Sequence, residues 1–158
     1  GSLRILGDDI QISNQSDTAS QARFTAGGAV ELYHNGTKMI ETTAGGISLL
    51  KGAKAAVTAV TELNTTTIDW LTGTHFSFTL TGNRTLAQTS SSNAVGQSGS
   101  IFISQDGTGS RTLAFSSHYK FPGGTAPTLS TAANALDRID YVVKANGEVH
   151  AVASLDVK

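Results

Sequence analysis

The first fifty residues place the hardest constraint on this chain: they are apolar-x-apolar triplets, each cut short by turn residues, and none is long enough to make a core by itself. Ile10-Gln11-Ile12, Ala22-Arg23-Phe24 and Val30-Glu31-Leu32 have the two-residue period of very short strands, and Met39-Ile40 follows the next turn. Asn35-Gly36, between residues 30–34 and 37–42, signals a tight hairpin, because both central positions of a type I′ turn need the positive φ that Asn and Gly tolerate. Gly27-Gly28 and Gly45-Gly46 mark two more turns. The stretch holds about a dozen sizeable apolar side chains, which bury too little surface to offset the entropy of ordering it alone. It is therefore expected to need copies of itself. Three chains around one axis, each giving short strands, would make an intertwined trimeric β shaft over residues 3–50.

Residues 51–67 change character. Ala53, Ala55 and Ala56 precede Val57, Val60 and Leu63 at a spacing of three, so a short helix around residues 55–63 is expected, weakened by Thr58 and Thr61, within a junction. From residue 68 the alternation lengthens. Phe76, Phe78 and Leu80 face away from His75, Ser77 and Thr79, and Ile101 with Ile103 and Leu113 with Phe115 repeat the pattern. Ile139, Tyr141 and Val143 alternate with Arg138, Asp140 and Val142, after which Asn146-Gly147 turns the chain into Val149, Ala151, Ala153, Leu155 and Val157. Strands without long helices between them predict an antiparallel, jelly-roll-like β-sandwich knob over residues 68–158. The fold class read from the pattern is all-β.

Composition narrows the function classes. Of the 158 residues 39% are hydrophobic, much of that alanine, and 15% are charged; Gly, Ser and Thr make up about a third, which favours short strands and turns. A net charge of -1 with scattered Lys and Arg leaves no electrostatic footprint for nucleic acid or an anionic membrane. The absence of cysteine excludes disulfides, thiolate metal sites and a cysteine nucleophile. No apolar run approaches the roughly 20 residues that span a bilayer, so membrane insertion is not expected. Gly1-Ser2 reads as an expression scar at the head of a fragment cut from a longer polypeptide.

No catalytic constellation emerges. Gly96-Gln97-Ser98-Gly99-Ser100 has Ser where a nucleophile elbow requires its final Gly. Gly107-Thr108-Gly109-Ser110-Arg111-Thr112 lacks the third glycine of a dinucleotide fingerprint and reads as a polar turn. A glycosidase needs two carboxyl groups about 5 to 10 Å apart, for which Asp137 with Asp140 or Glu148 with Asp156 are the candidates, against a plain reading as solvated surface carboxylates. His34, His75, His118 and His150 lie too far apart in sequence to pair as ligands, although one histidine on a three-fold axis would become three. No cofactor, metal site or enzymatic activity is expected.

Residues 20–50 carry Phe24-Thr25-Ala26-Gly27-Gly28-Ala29-Val30-Glu31-Leu32-Tyr33-His34-Asn35-Gly36-Thr37-Lys38 and then Glu41-Thr42-Thr43. This stretch resembles a repeat of bacteriophage tail fibres and related virion proteins. Gly82-Asn83-Arg84-Thr85-Leu86, Gln97-Ser98-Gly99-Ser100-Ile101, Gln105-Asp106-Gly107-Thr108-Gly109-Ser110-Arg111 and the run from Tyr119-Lys120-Phe121 to Ala133 are similar to the terminal domain that often follows it. The resemblance implies a homotrimer, other virion proteins bound through a missing N-terminal part, a place on the fibre or tail tip of the virion, and adsorption to a host cell-surface glycan or outer-membrane protein. Two further readings stand beside it: a purely architectural domain that registers three chains, and a polysaccharide depolymerase. Receptor contacts would lie on loops of the knob, and His118-Tyr119-Lys120-Phe121 offers aromatic and cationic groups on a turn-rich stretch. The competing reading is that Tyr119 and Phe121 plug the end of the sandwich.

Overall fold

The computed structural model describes residues 5, 7–14, 16, 18–88 and 94–158. Gly1, Ser2 and Leu3 lie outside the described residues. The chain divides into two compact units, Gly1–Lys54 and Ala55–Lys158. No α-helix occurs among the described residues, and the all-β class read from the sequence is the class of the structure.

The first unit is one five-stranded antiparallel sheet in chain order: β1 (Asp9–Ser13), β2 (Ser20–Thr25), β3 (Val30–His34), β4 (Thr37–Thr43) and β5 (Gly46–Leu49). Asn35 (φ 48°) and Gly36 (φ 72°) form the β3–β4 turn, closing the His34–Thr37 pair as the dipeptide predicts. Register puts Ile10, Phe24 and Val30 in one cross-strand row and Ile12, Ala22, Leu32, Ile40 and Leu49 in the next, all on the same face. Only Ala22 is buried; Ile47 is 73% exposed, Leu49 53% and Phe24 41%. The opposite face is polar. There Lys38 Nζ lies 2.7 Å from Glu31 and 2.6 Å from Glu41, two carboxylates that oppose each other across the strands, and the Tyr33 hydroxyl donates to Glu31 at 2.7 Å. Lys38 first and Tyr33 second hold the Glu31 carboxyl below its usual range.

Among the described residues the second unit has nine strands: β6 (Val57–Ala59), β7 (Thr65–Ile68), β8 (His75–Leu80), β9 (Arg84–Gln88), β10 (Ser98–Gln105), β11 (Leu113–Phe115), β12 (Tyr119–Lys120), β13 (Leu136–Ala145) and β14 (Glu148–Ser154). They make a six-stranded sheet in the order β12-β14-β13-β10-β8-β6 and a three-stranded sheet in the order β11-β9-β7. From β6 to β11 the chain alternates between the two sheets, so that each strand of one sheet serves as the crossover between neighbours in the other. That is why β6, β8 and β10 pair in parallel, and β7, β9 and β11 likewise. Antiparallel pairing returns where β13 joins β10 and turns through Asn146-Gly147 into β14. The second unit is thus a mixed sandwich, with parallel pairs that the alternation pattern did not show. The short helix expected over residues 55–63 does not form; Val57–Ala59 is strand, edging the larger sheet, because parallel pairing with β8 outweighs the helix propensity of the alanines.

One core joins the two sheets. Phe76, Phe78, Leu80, Ile101, Ile103, Ile139, Tyr141 and Val143 from the larger sheet meet Ile68, Leu86 and Leu113 from the smaller. Trp70, on a single 3-10 turn capped by Asp69, packs its ring 4.6 Å from Tyr141 and 5.7 Å from Phe76. A Cβ on Gly99 would overlap the Thr74 carbonyl, which accepts from the Tyr141 hydroxyl at 2.9 Å. Buried polar groups tie the loops down. Gln105 donates to the Arg111 and Ser130 carbonyls, and Asp137, 2% exposed, accepts from the backbone N–H of Ser130 and Asp156.

Candidate functional site

The segment singled out by the sequence sits at one edge of the six-stranded sheet. Val149 N–H donates to the His118 carbonyl at 2.9 Å, and β12 runs parallel to β14 with Tyr119 beside Val149 and Lys120 beside His150. Strand alternation then sends the side chains to opposite sides. Tyr119 turns into the core at 5% exposure, its ring 5.8 Å from Phe115 and its hydroxyl donating to the Ala87 carbonyl at 3.4 Å. Burial pushes its phenol far above its ordinary value. Phe121 is half-buried, edge-on to Phe115 at 4.8 Å. Lys120 is exposed, with Nζ donating to the Ser117 carbonyl at 2.7 Å, and His118 is half-buried with Nδ1 3.1 Å from the Ser116 hydroxyl.

Lys120 and Phe121, with Pro122, wall a groove of about 500 Å³ whose floor is the outer face of β13 and β14. Val142 and Val152, 46% and 55% exposed, give that floor an aliphatic surface. Asp140 and His150 are its polar groups. Asp140 accepts from the Ser100 hydroxyl at 2.7 Å and pairs with Arg138 at 3.0 Å. His150 lies 2.8 Å from Glu148, which also meets Lys144 at 3.0 Å. His150 first and Lys144 second lower the Glu148 carboxyl from its usual range.

The chemistry weighed from the sequence finds no assembled machinery among the described residues. Asp137 faces inward and Asp140 outward on one strand, so that pair does not converge. Glu148 opens β14 and Asp156 lies beyond its other end, a separation of roughly 20 Å or more at strand rise, outside the reach of a two-carboxylate glycosidase. Ser98 opens β10 opposite Val142 in the ladder. Asp106 accepts from the N–H of Thr108 and Gly109 and pairs with Arg111 at 2.9 Å, which makes the glycine-rich stretch a polar turn. No three potential metal ligands cluster among the described residues.

Most of the sandwich's polar side chains among the described residues hold turns or ion pairs, as in a structural fold. A family model described as "Putative phage tail fibre C-terminal domain" matches residues 55–148. That is more than half of the chain, it begins where the second unit begins, and the chain belongs to this family. It is a structural part of a phage tail fibre, associated with the tail of the virion and its other proteins. No curated protein and no solved structure matches the chain.

Sequence reasoning missed the groove's floor. Its signal was present: Val142 and Val152 occupy positions on β13 and β14 where strand alternation puts polar residues.

Proposed function

We propose that the chain is a distal segment of a tail fibre that assembles as a homotrimer and attaches the virion to its host without chemistry of its own. The observation that carries the assembly is the bare apolar face of β1–β5, since a row of Ile, Leu, Val and Phe side chains in water is a surface awaiting a cover. Each chain supplies its own five-stranded sheet, so the copies join by packing faces around an axis over residues 3–50, and the knob begins at Ala55, ahead of β6 and β7. The resemblance of residues 20–50 to fibre repeats supports three copies. Attachment is supported by the family and by the groove beside Lys120 and Phe121, where Lys120 and Phe121 would touch a host-surface glycan or outer-membrane protein and Tyr119 would hold them from below. Three weak sites on one fibre bind as a unit.

Sedimentation equilibrium tests the assembly, and a monomer at micromolar concentration removes it. Purified chain added to the propagating strain tests attachment: it should block adsorption of the phage, and undiminished adsorption at saturating chain removes the attachment role. A purely architectural knob is the second reading, favoured by the burial of Tyr119 within the stretch first taken for the site. It predicts that removing the second unit dissolves the trimer, whereas the attachment reading predicts trimers that no longer adsorb.

A further inference from the structure

Among the described residues no strand covers the edge of β14 beyond its first residues, beside the groove. Because Val149 N–H points to β12, the backbone groups of Ala151 and Ala153 point the same way, away from β13. β12 covers only the start of that edge: its last pair is Lys120 with His150, and Phe121 and Pro122 then lead into a 3-10 turn. The next rung of a parallel ladder would bring the N–H of residue 122 to the Ala151 carbonyl, and proline has no N–H. Beyond it Ala153 turns both its N–H and its carbonyl to the side on which no strand follows in the sheet order.

Open edges are ordinarily blunted with charge, proline or a bulge on the edge strand itself. Here Ala151, Val152, Ala153, Ser154 and Leu155 carry no charge, and Val152 and Leu155 are 55% and 47% exposed. The unguarded edge runs alongside the aliphatic groove.

We infer that this edge receives an extended polypeptide segment of a partner, which adds as a strand to β14 and sets an apolar side chain beside Val152 on the outward face of the sheet. The inference rests on the attachment reading and names its partner class as protein. A peptide backbone is the ligand that supplies an acceptor for the Ala153 N–H and a donor for the Ala151 carbonyl at strand spacing, while the apolar floor offers a sugar few hydroxyl partners. The open run, residues 151–154, has room for about four residues of added strand, roughly 13 Å.

A displayed library of random seven-residue peptides panned on the full chain tests it. Enriched peptides should alternate apolar and polar residues and lose binding by about tenfold or more in two variants. Ala153→Pro removes the edge N–H, and Val152→Lys places a charge on the floor; a melting curve like that of the wild type qualifies each variant. Failure to enrich any peptide, or binding that survives both substitutions, overturns the inference. So does loss of the chain's own self-association in both variants, which would make the occupant a second copy. Adsorption to intact and protease-shaved cells of the propagating strain separates this from the attachment reading. Adsorption that survives shaving leaves attachment standing and removes the peptide partner; adsorption lost on shaving and in both variants supports it.

Discussion

The two units alternate apolar and polar residues with the same period and end differently. In β1–β5 the apolar rows leave Ile47 73% and Leu49 53% exposed, whereas in β8 the alternate positions Phe76 and Leu80 are 0% exposed. The cause is the path of the chain. The first unit turns back on itself at every strand and stays in one sheet, so among the described residues it has one layer and adds no second layer of its own. The second crosses between two sheets from β6 to β11 and builds its own second layer. Alternation therefore states which face seeks cover, and topology decides whether the same chain provides it.

The largest test of this contrast is to separate the units between Lys54 and Ala55. Residues 55–158 should melt in one cooperative transition near that of the full chain, while residues 3–54 should fold only as a self-associated species and lose their circular dichroism on dilution to monomer. A folded, monomeric first unit would break the comparison. Next, Phe76→Ala should destabilise the second unit by about 3–5 kcal/mol, the usual cost of emptying an aromatic core position. Phe24→Ala, on the bare face of the first unit, should leave that melting temperature unchanged and weaken self-association instead.

A smaller effect is expected at Gly99. Its alanine variant must push apart the Thr74 carbonyl and the Tyr141 hydroxyl, at about 1–3 kcal/mol in denaturant titration; a neutral result would show that the junction of β8 and β10 yields more readily than a packed core does. The smallest concerns Glu62. Burial pushes its carboxyl up, but the ion pair with Arg84 at 2.7 Å and the Thr81 N–H outweigh it, and the net shift is below the ordinary 4.5. A lowered folded value means stability that is present above pH 4.5 and lost as pH falls below that through the lower folded value. The melting temperature of the second unit should fall on acidification in that window, and Glu62→Gln should flatten part of the fall while costing a few degrees at neutral pH. An unchanged acid profile in the variant would assign the loss to other carboxylates.

Much of the second unit's core was legible as residues. Phe76, Phe78, Leu80, Ile101, Ile103, Ile139, Tyr141 and Val143 all face inward as their spacing required. Both Asn-Gly hairpins are also where the dipeptides put them: Asn35 (φ 48°) and Gly36 (φ 72°) both take the positive φ that local chemistry demands of such a turn, whereas at the second only Gly147 (φ 78°) does. The parallel pairs were not legible. A strand such as Leu113–Phe115 has the same alternation whether its neighbour is parallel or antiparallel, and its partner β9 follows from the crossing that β10 makes in the other sheet. The groove was half legible. Lys120 and Phe121 stood out by type, but the aliphatic floor comes from β13 and β14, over twenty residues away in the chain, and only pairing brings it alongside.

By itself the sequence determined an all-β chain, its short strands, two tight hairpins, and a first third with an apolar face it cannot bury. These follow from period, turn chemistry and the number of large apolar side chains, all properties of neighbouring residues. Only the tertiary structure decided that the second unit is a two-sheet sandwich of mixed pairing, that Tyr119 is core while Lys120 is surface, and that β14 keeps an open edge beyond Pro122. Each of those depends on which distant strand arrives as a neighbour, and strand pairing is a property of the whole fold.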